Sequence, residues 1–269
     1  MLPVRLAEVK GIAAAQRVAR AVIHEVAAGL APGDTERQVA GRLEQGLTRA
    51  GVRVWLHTPY AWFGGRTRFA GFHDWEPDAL PTEKALADGD PYILDAAPFV
   101  GGYPADYALS GVLAGGDGRH ERICAELARI KQAIVGWARS AASGRELFDT
   151  VGRAARSAGF EPVHPLYPGR VLGHVFDGLP RWLQVLPRVG RGFQLPLIAG
   201  YAVALARHRL AGDRYPLIND LATDRPRGVF ALEPHLASGP LGAKFESVLV
   251  IDGDETRWLD PGLFGDVTS

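Results

Sequence analysis

Apolar residues recur at three- and four-residue spacings from Leu6 to about Gly29, where Val9, Ile12, Ala13, Val18, Val22, Ile23 and Val26 predict one buried face of a helix. "PGDT" breaks that pattern and supplies a cap, and Val39, Leu43 and Leu47 then mark a second helix closed by Gly51. "VRVWLHT" follows as a strand. The order returns in mid-chain: a long helix in "ERICAELARIKQAIVGWARSA", a break at "SGRE", a second helix in "LFDTVGRAARSAG" and a strand-like "FEPVHPL". Even "TRAGV" (48–52) and "RSAGF" (156–160) correspond. Two copies of helix, break, helix, strand predict a duplicated α+β unit within a single domain, 1–269, with halves of about 1–115 and 116–269 and no separate N-terminal domain. The Gly-rich run "AGGDGRHE" (114–121) reads as a turn cluster, not a linker.

Within this frame, two strand pairs carry acids where apolar residues are expected. "PYILDAA" and "YPADYALSG" read as a hairpin around a Gly-Gly turn. Centred between Val100 and Gly101, it makes Asp95 and Asp106 direct cross-strand partners. In "RGVFALEPHLASGPLGAKFESVLVIDGD", a hairpin centred on Gly239 and Pro240 likewise opposes Glu233 and Glu246. Like charges so placed repel, and desolvation raises the cost unless cations neutralise them. Two carboxylate pairs could surround two divalent ions.

A chain of 269 residues buries a core without metal staples, so a bound metal would serve chemistry. Thirty basic against thirty acidic residues give no net charge, and nucleic acid or an anionic membrane is not expected as the main partner. The single cysteine, Cys124, excludes an intrachain disulfide and reads as a buried, inert thiol. "MLPVRLAEVKG" lacks a signal-peptide core and no apolar run reaches spanning length, so a cytoplasmic location is expected. The G-x-S-x-G, H-E-x-x-H and G-x-x-x-x-G-K-[ST] motifs are missing from the sequence. Among the histidines, His174 in "GRVLGHVFDG" follows a glycine that permits close backbone approach and is the natural completing ligand. His73, in "RFAGFHDWEP", suits the mouth of a site; His24, His120 and His208 fall on charged helical segments and read as surface; His57, His164 and His235 remain ambiguous. The aromatic run Tyr60, Trp62, Phe63, Phe69, Phe72 and Trp75 reads equally as substrate pocket or as core or dimer contact.

Together, Asp95 and Asp106 in "GDPYILDAAPFVGGYPADYALSG", His174 in "LGHVF", Glu233 in "GVFALEPHL" and Glu246 in "KFESVLVIDGDETRWL" resemble the five metal ligands of the pita-bread (M24) metallopeptidases, which include methionine aminopeptidases, Xaa-Pro aminopeptidases, prolidases and creatinases. The resemblance covers nearly the whole chain and implies an internally duplicated α+β fold, a curved antiparallel sheet flanked by helices, with two divalent ions (Mn, Co, Fe or Zn) on its concave face. It implies that Asp95 chelates one ion, Asp106 and Glu246 bridge both, and His174 and Glu233 complete the second, with Glu233 also shuttling a proton to the leaving amine. His73 matches the family's upstream histidine, at a longer separation from Asp95. Two departures stand out. "GHVFDG" replaces a glycine-rich run, and Arg181, in "GLPRWLQVLP", stands where a second histidine belongs; a guanidinium stabilises an oxyanion but does not readily give up a proton. The implied activity is cleavage of an N-terminal peptide bond. The alternatives are a metal-dependent hydrolase or lyase acting on a small non-peptide amide, and a non-catalytic binding protein on a peptidase fold. The family and the aromatic run also imply a homodimer.

Overall fold

The computed structural model describes residues 6–72, 75–116, 118–176, 192, 194–212 and 214–259. Helix α1 (Leu6–Ala28) buries Val9, Ile12, Ala15, Ala19, Val22 and Ile23 along one stripe. A capping box at Thr35 starts α2 (Glu36–Arg49): Thr35 Oγ1 accepts from Gln38 N, and Gln38 Oε1 accepts from Thr35 N. Both helices cover a sheet in which β1 (Val54–Phe63) and β4 (Tyr107–Val112) flank β2 (Pro91–Val100), with the short β3 (Tyr103–Pro104) continuing the hairpin. A 3-10 turn (Gly64–Arg68) and the one-turn α3 (Trp75–Asp78) connect β1 to β2.

The second helix pair, α4 (Arg119–Ser140) and α5 (Gly144–Ser157), packs Ile123, Leu127, Ile130, Ile134, Leu147 and Val151 against the C-terminal strands. Ser143 caps α5 by accepting from Glu146 N at 3.1 Å. Those strands are β5 (Glu161–Pro162), β6 (Gly173–Val175), β7 (Leu217–Ile218), β8 (Gly228–Leu232), β9 (His235–Ser238), β10 (Leu241–Lys244), β11 (Ser247–Ile251) and β12 (Arg257–Trp258), with α6 (Leu195–Ala211) between β6 and β7. They form antiparallel ladders in the orders β12-β11-β8-β6-β7 and β10-β9-β5. Val9, Ile12, Leu56, Ala97 and Phe99 meet Phe176, Val229, Ala231, Val248 and Val250 in a shared core, which joins the two sheets at their inner strands. Among the described residues no helix is long and apolar enough to cross a membrane.

The elements differ from the sequence pattern in three places. "FEPVHPL" is strand only at Glu161–Pro162 and then turns into short 3-10 segments, because Pro165 and Pro168 cannot donate to a ladder. His120, expected on the surface, is buried beside Cys124, and burial lowers its pKa. The Asp95 hairpin is centred one residue later than expected. Val100 pairs with Tyr103, so the turn is Gly101–Gly102, with φ of 55° and 86°. A two-residue turn of this kind needs positive φ at both central positions, which the β-branched Val100 resists and two glycines allow. Asp95 therefore lies opposite Ala108, and Asp106 is its diagonal neighbour on the same face.

Candidate metal centre

Four carboxyl groups converge where the sheets meet. Asp95 projects from the middle of β2. Asp106 sits at the break between β3 and β4, where its peptide groups have no ladder partner; instead the buried amide of Gln16 on α1 donates to Asp106 O at 2.5 Å and accepts from Asp106 N at 3.0 Å. Glu233 and Glu246 lie between two ladders of one register, Leu232 pairing with Ser247 and His235 with Lys244, so the expected opposition of these two glutamates holds. His174, in the centre of β6, places Nε2 2.9 Å from Asp106 Oδ2.

Gly173 permits that approach. A Cβ there would lie 2.5 Å from the Ala231 carbonyl and 2.3 Å from a Leu232 methyl carbon. Gly173→Ala should therefore cost at least ~2 kcal/mol and disturb the adjacent His174. Urea unfolding of the metal-free variant checks this, and an unchanged midpoint would contradict the close packing.

Lys244 was not anticipated. Its Nζ donates to Asp95 Oδ2 at 2.7 Å and Glu246 Oε1 at 2.9 Å, and lies 3.6 Å from Glu233 Oε2. The rings of Trp62 and Tyr167 flank the ammonium at 5.9 and 5.5 Å. Burial pulls its pKa down, but the attraction of Asp95 and Glu246 more than reverses this and keeps it charged.

One ammonium does not compensate four carboxyls. Burial, then Glu246, pushes Asp95 up to about 6, and burial, then Asp95, pushes Asp106 up to about 7. Glu233 is raised well above the usual range by burial and by Glu246, and Glu246 by burial and by Asp106. Asp95 Oδ1, Asp106 Oδ1 and Glu246 Oε2 are buried and accept no hydrogen bond from any described residue. Buried carboxylate oxygens without donors suit the binding of a cation.

The histidine fits the same chemistry. His174 Nδ1 is 2.6 Å from the Tyr201 hydroxyl, which in turn donates to Val175 O. With the tyrosine proton so used, Nδ1 carries the ring hydrogen and Nε2 turns a lone pair toward Asp106. Burial pushes His174 down to about 4, so the ring is neutral near pH 7. His57, Asp95 and Asp106 likewise place ligand atoms within 4.8 Å of one another.

Residues 10–252 match the family model described as metallopeptidase family M24. The chain belongs to metallopeptidase family M24. The fold of this M24 chain is similar to that of an X-Pro aminopeptidase from Thermotoga maritima MSB8, with a TM-score of 0.69 at 17% identity over 95% of this chain and 62% of that one. A dipeptidase from Pyrococcus horikoshii OT3 gives 0.68 at 20% identity, over 96% of this chain and 61% of that one. A methionine aminopeptidase from Thermotoga maritima gives 0.66 at 14% identity over 96% and 99%. The chain thus spans about three-fifths of the first two proteins and nearly all of the third. These likenesses establish the pita-bread fold. No curated protein matches the sequence.

The four acids and the histidine singled out in the sequence of this M24 chain are brought together, whereas His73 and Arg181 lie outside the described residues. Tyr60, Trp62, Phe63 and Phe69 are core, with Tyr60 stacked on Trp62 at 4.9 Å and Trp62 Nε1 donating to Ala79 O. His235 is structural: Nε2 donates to Thr67 O at 2.7 Å and Nδ1 accepts from Tyr167 at 2.8 Å. Burial pushes the Cys124 thiol up to about 12, which suits an inert role.

Proposed function

We propose that this M24 chain is a dinuclear, divalent-metal-dependent hydrolase that cleaves the peptide bond after a free N-terminal residue. The observation that carries the reading is the set of three buried carboxylate oxygens without donors beside the neutral imidazole of His174. Asp95, Asp106, His174, Glu233 and Glu246 would hold the ions, whose chemistry when bound is to activate water and polarise the scissile carbonyl. Four carboxylates and the Lys244 ammonium leave three formal negative charges; one divalent ion leaves the site anionic, and two make it cationic by one unit, the sign that favours a developing oxyanion. Glu233, a carboxylate at the same centre, would take up a proton in the course of the reaction and deliver it to the leaving amine. Tyr201 fixes the His174 ring, and Lys244 holds Asp95 and Glu246 in place.

The decisive experiment presents peptides with free and with acetylated N-termini, alongside small amides, to chelator-stripped protein reconstituted with Mn, Co, Fe or Zn. Release of the N-terminal residue only from free peptides and only with metal is expected. Turnover confined to non-peptide amides, or none with any metal, would overturn the reading.

Metal-free protein should also show an unusual pH dependence. Protonated Asp95 and Asp106 favour the folded state; that contribution is complete below the unfolded value of 3.8 and is lost as pH rises through about 6 and about 7. His174, lowered to about 4, and the buried His164, lowered to about 3, work oppositely, their contribution growing with pH and complete only about a unit above the unfolded value of 6.5. Above about pH 7.5, where unfolded histidine is neutral as well, only the acid contribution still changes, so stripped protein should melt at lower temperature as the pH rises further. Saturating metal, which keeps the carboxylates ionised throughout, should abolish the decline. Thermal melts across this window read the effect, and a rising Tm in stripped protein contradicts it.

A further inference from the structure

Resting on the metallohydrolase reading, we infer that His57 is a further metal ligand, completing with Asp95 Oδ1 and Asp106 Oδ1 a nitrogen-containing cation position that favours ions such as Zn²⁺ and Co²⁺ over Mn²⁺.

The backbone brings His57 there. In a regular strand, His57 and Tyr60, three residues apart, would point to opposite faces. The register of β1 on β2 shifts on both sides of His57, so that His57 pairs with Ala97 and Tyr60 with Asp95. Because Ala97 and Asp95 share a face, the irregularity turns His57 to the acid side of the sheet, where its ring stacks on Tyr60 at 5.0 Å.

The ring's hydrogen bonding also fits. Nδ1 lies 2.8 Å from Thr58 O, an atom that only accepts, so Nδ1 carries a hydrogen and Nε2 is the nitrogen whose lone pair a metal would take. Nε2 lies 3.6 Å from Asp95 Oδ1 and 3.9 Å from Asp106 Oδ1. These separations are too long for hydrogen bonds. They suit a shared cation: donors bound at ~2.1 Å to one ion lie ~3.4 Å apart at the tetrahedral angle and further apart at wider ones. The two oxygens His57 faces are two of the three buried carboxylate oxygens that lack a donor among the described residues. Lys244 meanwhile occupies Asp95 Oδ2, which leaves Asp95 to offer one oxygen; the imidazole supplies the donor that a chelating carboxylate would have given. Exchanging oxygen for imidazole nitrogen moves the site away from Mn²⁺ and toward Zn²⁺ and Co²⁺.

The test uses the full chain, stripped with chelator and loaded with Co²⁺. Paramagnetically shifted, exchangeable ring N–H signals count the ligated imidazoles without any mutation, and both Nδ1 hydrogens are protected by hydrogen bonds. Two signals are expected, one each from His57 and His174. His57→Gln should delete one signal and weaken Zn²⁺ and Co²⁺ binding at least ~10-fold in competition titrations, with a much smaller change for Mn²⁺. A single signal in the wild-type chain, or both signals and unchanged Zn²⁺ affinity in His57→Gln, overturns the inference and leaves the metallohydrolase reading standing. No shifted signal at all sinks both.

Discussion

Asp106→Asn should reduce metal-dependent hydrolysis by on the order of 10³-fold while making the metal-free protein more stable than the wild type. The two effects have one origin. Asp106 meets His174 at Oδ2, faces His57 from Oδ1 and lies against Glu246, so its charge is the one most widely shared in the cluster. Asparagine keeps the shape and leaves the backbone clamp of Gln16 untouched, since that clamp engages only the peptide groups of residue 106. It removes a carboxylate whose ionisation is opposed by burial and by Asp95, which relieves the metal-free fold. It also places an amide where a cation would bind. Elemental analysis should show loss of tightly held metal, and thermal melts should show a higher metal-free Tm with no further rise on adding Zn²⁺ or Co²⁺. Retained metal and retained turnover would remove Asp106 from the site.

Lys244→Met should destabilise the metal-free protein by about 3–5 kcal/mol at pH near 8, the usual cost of removing one member of a buried ionic cluster. Methionine fills similar volume between the Trp62 and Tyr167 rings, so packing is largely retained and the missing ammonium dominates. Asp95, Glu246 and Glu233 then lose their nearest cation. Because the loss is electrostatic, two conditions should restore stability. Lowering the pH lets Asp95 and Asp106 take up protons as it passes about 7 and then about 6, and saturating divalent metal replaces the missing charge. Chemical denaturation at three pH values, with and without metal, separates these from a packing defect, which neither treatment would rescue.

Much of this arrangement was legible in the sequence because it follows simple periodicities. The apolar stripes of α1, α2, α4 and α5 are helical over many turns, and the offset linking Glu233 to Glu246 is fixed by a Gly-Pro turn whose position is unambiguous. The Asp95 hairpin was harder. Val-Gly and Gly-Gly both fit the run, and only the demand for positive φ at both turn residues decides for Gly-Gly. Lys244 carried a readable signal, since it stands two residues before Glu246 on extended backbone and shares its face. A lysine a few residues from a turn nevertheless reads as solvated. His57 gave no such signal, because its direction depends on a register shift that alternation does not encode. Gln16 carries no local signal either, because its amide finds its partner ninety residues away.

That amide has a mechanical meaning. Its two-way bond to the peptide of Asp106 ties the first helix to the central carboxylate, so a displacement of α1 should be felt at the candidate centre. Trimming the chain past α1 would preserve every candidate ligand in the polypeptide and still cost the centre its alignment.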